Sequence, residues 1–175
     1  GVDIIVHALQ DVPVDQETID LMVKNKTNFA PTLAVYEPAK PGQPPPSEAQ
    51  LKQRTPKFKV AMANVKTLHD AGVPIVVGTD AGMTGTVHGR STLREMELLV
   101  EAGLTPVEAL VAGTSASANA MGQTDRGVIA PGKRADLVLI KGKPWESIAD
   151  LYKTERTYVD GKVMFGKGAP APYTR

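Results

Sequence analysis

Along the first 122 residues, short apolar runs alternate with segments in which apolar residues recur every three or four positions. An unbroken apolar run reads as a strand buried on both faces, and recurrence at i, i+3, i+4 reads as an amphipathic helix. Residues 3–7, "DIIVH", are the first such strand, ending in His7. Asp15 is placed to cap a helix whose stripe is Ile19, Met22 and Val23. Residues 28–36, "NFAPTLAVY", read as a second strand, short or bulged at Pro31 because proline cannot donate to a ladder. Thr55-Pro56 reads as a helix start, with Phe58, Ala61, Val65 and Leu68 as its buried stripe and Gly72 as its C-terminal cap. Residues 73–78 form a third buried strand that runs directly into Thr79-Asp80-Ala81-Gly82. Thr92 and Glu95 have the spacing of a capping box, with Gly103 as the stop, and Thr105 and Glu108 repeat the device around Pro106. A shorter helical piece over 116–120 ends at Gly122.

The pattern changes at residue 123. "RGVIAPGKRADLVLIKG" predicts strand, Pro-Gly turn, strand, and "RTYVDGKVMF" predicts a hairpin closed by Asp160-Gly161. The chain therefore divides into residues 1–122, an α/β part with a parallel sheet covered by helices, and residues 123–175, a small β module. Residues 37–47, "EPAKPGQPPPS", form a stiff, extended loop that suits either a surface connector or a lid near a site. Met62, Met96, Met121 and Met164 occupy apolar positions and read as core.

Composition narrows the function classes more than it selects one. The chain has 175 residues and a net charge of +1, which gives no support for a nucleic-acid partner. It has no cysteine, so disulfides and thiolate metal sites are excluded. No apolar run approaches the length of a membrane span. The chain opens at Gly1-Val2-Asp3-Ile4, straight into an apolar strand, which reads as the back part of a longer chain. Any targeting segment would then lie upstream, so no compartment is assigned.

In parallel α/β folds, chemistry collects at the carboxyl ends of strands. His7 and Asp80 are the first strong ligand or acid after their strands, and imidazole and carboxylate are nitrogen and oxygen donors that zinc accepts. Either residue also suits proton transfer, or a plain structural role as a bonded core histidine and an Asx-turn aspartate. His88, eight residues past Asp80 in a glycine loop, is a candidate substrate contact. His69, in the last turn of a helix, reads as structural.

The motifs "GVDIIVHA", "APTL", "AGVPIVVGTDAG", "HGRSTLREMELLVEAGLTPVEALVAGTSASANAMG", "RGVIAPGKRADLVLIKGKPWESI" and "YVDGKVMF" resemble, in order, the C-terminal half of the amidohydrolase superfamily. The branch is that of imidazolonepropionase-like and Xaa-Pro-dipeptidase-like metallohydrolases. The resemblance implies an α/β fold: the C-terminal part of a TIM-type (β/α)8 metallohydrolase barrel, strands six to eight, over residues 1–122. It implies a small β-sandwich segment over 123–175. It makes His7 a metal ligand, Asp80 a metal ligand and proton shuttle, and His88 a loop histidine near the substrate. Ser91 departs from the dipeptidase-like pattern, which carries asparagine there.

The superfamily's His-x-His pair, bridging lysine and strand-five histidine have no counterpart in the sequence, whose three histidines are His7, His69 and His88. The expected parent is a hydrolase of amide-type C–N bonds using one or two zinc ions, or another divalent metal. In it, Asp80 carries the proton from the attacking water to the leaving nitrogen. The expected partners are a small-molecule or dipeptide-like amide, no nucleic acid and no membrane, with homo-oligomerisation or association through an exposed barrel edge. The 175-residue chain alone is expected to be inactive and to bind metal weakly. The alternatives are an inactive fragment or assembly scaffold, and a cyclic-amide hydrolase or deaminase of the same superfamily.

Overall fold

The computed structural model describes residues 1–170. Its first part is built on a short parallel pair, β1 (Ile4–Val6) and β2 (Asn28–Ala30), with Ile5 opposite Phe29. The 73–77 segment lies along the other side of β2. Phe29 N–H donates to the Pro74 carbonyl and Val76 N–H to the Phe29 carbonyl, both at 2.9 Å. The three predicted strands are therefore adjacent and parallel, in sequence order, although the ladder beyond β2 is a single bridge, Phe29 to Ile75.

Helix α1 (Gln16–Asn25) begins where Asp15 accepts from Thr18 N–H at 2.7 Å. Ile19 and Met22 are buried as expected, but Val23 faces outward. The second predicted strand ends at Ala30, and Leu33–Tyr36 form a one-turn helix, α2, instead. The helix expected from Thr55 begins about two turns earlier. α3 spans Glu48–Asp70, opened by a capping box in which Ser47 and Gln50 bond reciprocally, and Pro56 lies inside it. A proline in a helix interior deletes one backbone bond, a loss tolerated here on an exposed face while Ala61, Asn64, Val65 and Leu68 turn inward.

Helix α4 (Arg90–Glu101) likewise begins earlier than the Thr92 cap predicted, with Gly89 at its N-cap. Thr92 and Glu95 lie inside it, and Glu95 bonds elsewhere. α5 (Pro106–Val111) opens on the expected Thr105–Glu108 capping box. It continues through a five-residue π turn (Ala112–Ala116) into α6 (Ser117–Ala120). In that turn the Ala112 carbonyl accepts from Ser117 Oγ at 2.6 Å and Val77 N–H at 3.3 Å. The Ser117 hydroxyl also accepts from Val77 N–H at 3.2 Å. The irregular turn thus holds the far side of the 73–77 segment.

The core lies between these helices and the parallel strands. Leu33, Val65, Leu98 and Leu99 are fully buried at its centre. Met96 joins them, whereas Met121 and Met164, expected in the core, are exposed. After residue 123 the first predicted strand has no ladder partner among the described residues, and Ile129 is 91% exposed. β3 (Leu137–Ile140), β4 (Thr154–Val159) and β5 (Lys162–Phe165) form one antiparallel sheet in sequence order. Asp160 and Gly161 have φ of 52° and 74°, the primed geometry that suits a two-residue hairpin turn. Among the described residues the one other sheet is the β1–β2 pair. Ile148 and Leu151, in a 3₁₀ turn (Ile148–Lys153) before β4, are buried against the common core. Among the described residues, no helix is long and apolar enough to cross a membrane.

Candidate active site at the strand ends

The parallel strands open their carboxyl ends on one rim. His7 N–H donates to the Ala30 carbonyl at 3.0 Å, which sets His7 beside the end of β2. Three residues on this rim share an unusual backbone. His7, Thr32 and Asp80 have φ of 70°, 51° and 49°. None is glycine, and a side chain in the left-handed region costs about 1–3 kcal/mol, a strain that collects at functional sites. Only five non-glycine residues of the described chain have positive φ, so one such residue after each of three adjacent strands is a shared feature of the rim.

Thr32 is central to it. Its Oγ1 lies 2.9 Å from His7 Nδ1. With Nδ1 tied to the hydroxyl, Nε2 is the nitrogen left to act as ligand or base. Tyr36 packs edge-on to the His7 ring, centroids 6.2 Å apart. On the other side, a Cβ at Gly78 would lie 3.1 Å from Ala30 Cβ and 3.4 Å from Thr32 Cγ2. Glycine at that position lets the third strand close against Thr32. Asp80 follows two residues later and is exposed. His88 reaches back over the same loop: its Nε2 lies 3.9 Å from where a Cβ on Gly82 would stand. The 82–86 turn is closed by Gly82 N–H on the Thr86 carbonyl at 3.0 Å.

Buried polar side chains fix the rim from behind. Glu95 is wholly buried, and its two oxygens accept from the Leu33 and Ala34 N–H groups at 2.8 and 2.7 Å. These are orphan donors of α2, immediately after Thr32. Burial pushes the Glu95 carboxyl up to about 7, against the pull of the two amides. Asn64 on α3 accepts from Val14 N–H at 2.8 Å and donates to the Leu9 and Val12 carbonyls, each at 3.0 Å. It ties down the loop that follows His7. Arg94 pairs with Glu37 at 2.6 Å, Glu97 at 3.1 Å and Glu101 at 2.7 Å. Burial opposes its charge, yet these carboxylates hold its ionisation above the usual guanidinium range. Tyr152 donates to Glu97 at 3.0 Å, and burial with that bond pushes its hydroxyl up to about 12.

Beside the rim is a cleft of about 560 Å³ between the 37–47 loop, α3 and the 83–85 turn. Tyr36, the neighbour of His7, and Gln10, three residues past His7, both line it. The proline-rich segment is therefore a wall of a cavity as well as a connector.

A sequence profile described as the amidohydrolase family matches residues 46–164. The chain belongs to the amidohydrolase family. An imidazolonepropionase of Pyrobaculum arsenaticum is 45% identical over 98 residues, covering 56% of this chain and 24% of that protein. One of Deinococcus deserti is 41% identical over 85 residues, covering 48% and 21%. Among solved structures, a putative prolidase from Bifidobacterium longum aligns with a TM-score of 0.79 at 30% identity, over 99% of this chain and 44% of that one. A Xaa-Pro dipeptidase with methionine bound in its active site gives 0.75 at 28% identity, over 93% and 40%. The chain thus spans about a quarter of these curated relatives and less than half of these solved chains.

Family membership implies a metal. His7 and Asp80 are the donor types such a site uses, and the Thr32 bond leaves Nε2 of His7 available. Among the described residues, no three such side chains cluster closely enough to hold an ion. The donor set fits as part of a site, not as a whole one. His69 lies away from the rim, 3.4 Å from both Asp70 and Glu108, in keeping with a structural reading. Sequence reading missed Thr32, Glu95 and Asn64. Thr32 was discoverable as the strand-end residue of the middle strand. Glu95 shares the spacing of Ser91, Leu98, Leu99 and Ala102, so the helix period already turned it inward.

Proposed function

We propose that this chain is the C-terminal segment of a metal-dependent hydrolase that cleaves an amide-type C–N bond. On this reading residues 1–122 are the last three strands of a (β/α)8 barrel, and residues 123–175 belong to a β-sandwich. The observation that carries it is the rim: in a chain of the amidohydrolase family, His7, Thr32 and Asp80 end three adjacent parallel strands in the same strained backbone state. Further support comes from the outer side of β1, where Ile5 and Val6 are 37% and 52% exposed, as expected of an edge to which another strand adds.

His7, through Nε2, and Asp80 would hold the metal, zinc or another divalent ion. Bound there, it would supply Lewis-acid polarisation of the scissile carbonyl and acidify the attacking water. Thr32 orients the His7 ring through its bond to Nδ1, and Nε2 serves as ligand when Nδ1 carries the proton and donates to the hydroxyl. Asp80, exposed at the rim, takes the proton of the attacking water and passes it to the departing nitrogen. His88, over Gly82, contacts the substrate from the loop side. Glu95 holds the backbone after Thr32 and Asn64 the loop after His7, so the strained rim keeps its shape without substrate.

The test measures hydrolysis of N-acyl amino acids and Xaa-Pro dipeptides, with zinc content. It is run on the 175-residue chain alone and on the chain joined to barrel strands one to five of a relative. The chain alone is expected to give no turnover and well under one zinc per molecule. The joined protein is expected to turn over and to lose that activity in Asp80→Asn. Equal turnover by the chain alone sinks the segment reading, and an active Asp80→Asn sinks the assigned role.

A further inference from the structure

We propose that Lys40 is a positioning residue for His88: from the proline-rich loop it clamps the 83–86 turn, and with it the loop that carries His88 over the strand-end rim. The proposal rests on the hydrolase reading for what His88 does there, and on the geometry for what holds it.

The strand ends are braced by helices, but the chain from Gly82 to His88 runs beyond them. It turns back at 83–86, where Gly82 N–H donates to the Thr86 carbonyl at 3.0 Å and Thr86 N–H to the Met83 carbonyl at 2.8 Å. The Lys40 ammonium reaches this turn from the side, donating to the Thr84 carbonyl at 2.9 Å and to the buried Thr86 Oγ1 at 3.1 Å. Gly85 lies between these two acceptors with φ of 74°, and a Cβ there would stand 3.0 Å from Lys40 Cδ and 3.2 Å from Gln43 Cγ. Glycine thus lets the turn seat directly on the lysine stem. Past the turn, Val87 N–H donates to Ser91 Oγ at 2.8 Å. His88 follows, exposed, with its Nε2 beside Gly82. The turn that Lys40 grips is therefore the one beside which the His88 ring lies.

A clamp works only from a fixed point, and the proline-rich loop is fixed at both ends. Glu37 pairs with Arg94 of α4 at 2.6 Å, and Ser47 closes the capping box of α3. Between them, Gln43 N–H donates to the Lys40 carbonyl at 3.2 Å, and Pro41 disfavours helical backbone at Lys40 itself. With its backbone set in this way, Lys40 gives up mainly side-chain freedom on docking. Burial and the charge of Arg54 lower the Lys40 ammonium from its usual range, and Glu37 opposes them. Glu37 so favours the charged form, whose hydrogen bonds are the stronger.

The test is NMR of the 175-residue chain with Lys40→Met, which keeps the stem and removes the donors, and with Thr86→Val, which removes one acceptor. Lys40→Met should speed amide exchange at Gly82 about tenfold, as expected for the loss of charge-assisted bonds. It should also move the His88 ring nitrogen shifts while those of His7 stay. Thr86→Val should do the same by a smaller factor. Lys57→Met, whose ammonium pairs with Asp11 at 3.0 Å, is the control and should leave both signals unchanged. In the chain joined to barrel strands one to five, Lys40→Met should raise KM about fivefold and change kcat less than about twofold, the pattern of a lost binding contact. Lys40→Met combined with His88→Ala should raise KM no further than His88→Ala alone, because a lysine that acts through His88 has no effect without it. Unchanged His88 signals in Lys40→Met overturn the proposal. So does an equal rise in exchange at Leu99, which would make Lys40 a support of the whole core, and so do effects of the two substitutions on KM that add. A joined native protein without turnover overturns the hydrolase reading instead, and the ring shifts and exchange of the chain alone then decide the clamp.

Discussion

Glu95→Gln should flatten the pH dependence of stability between about pH 4.5 and pH 7, the interval between the ordinary carboxyl value and its folded one. The folded carboxyl is raised, so in this interval the native state binds more protons than the unfolded chain. Stability then falls as pH rises, and the loss is complete above the folded value. A shift of that size corresponds to about 3 kcal/mol between pH 4 and pH 8. The charged groups that bear on Glu95 are Glu37, which adds to the shift, and Arg94, which opposes it. A glutamine at this position cannot ionise, so the term vanishes. Its amide oxygen accepts from only one of the Leu33 and Ala34 N–H groups, and its NH₂ faces the other. Glu95→Gln is thus less stable than the native protein at pH 5, by about 1–3 kcal/mol, and the gap narrows toward pH 8. The assay is urea unfolding of both proteins at half-unit steps from pH 4.5 to 8. Carboxylates held low by their partners, such as Asp70 and Glu108, contribute equally to both proteins and cancel in the difference. Parallel curves for the two proteins would refute the reasoning.

Asn64→Ala removes a buried side chain that satisfies three backbone groups. It should cost about 3–5 kcal/mol in urea unfolding and raise amide exchange at Val14. Thr32→Val keeps the branched shape but deletes the hydroxyl on His7 Nδ1. Nitrogen NMR should then show altered His7 ring shifts as the Nδ1 partner is lost, while unchanged ring shifts would argue against Thr32 as its positioning residue. Leu33→Ala, at a site with no exposure, should cost about 2–5 kcal/mol by the same unfolding assay.

The strand ends were legible because strand burial and the punctuation after it are local. His7 and Asp80 could be named from apolar runs that stop at a polar residue. Two helix starts were misread for one physical reason. Thr55-Pro56 and Thr92–Glu95 each have the form of a cap, but a cap forms only where the helix is otherwise free to end. Ser47 and Gln50 close a better box upstream of Pro56, so the helix runs through the proline. Glu95 is drawn away from a cap by α2 amides 61 and 62 residues distant in sequence. Long-range demands of this kind leave only a periodic trace in the sequence. The unpaired 126–130 run failed differently: its apolar residues point to a strand, but no neighbour among the described residues gives it a ladder.

The same long-range bonds explain why a strained rim can exist at all. Three left-handed non-glycine residues would together cost several kcal/mol if nothing over-determined them. His7 is held by β2 through its backbone and by Thr32 through its ring, and Asn64 on α3 ties down the loop that follows it. Thr32 is held by the α2 amides that Glu95 occupies, and the third strand by the π turn at Ala112. Each support from behind comes from a different helix, α3, α4 or α5 with its continuation, so the rim's geometry is a property of the helical layer more than of the loops that carry it. Substitutions behind the rim should therefore alter the chemistry of His7 and Asp80 without touching either residue.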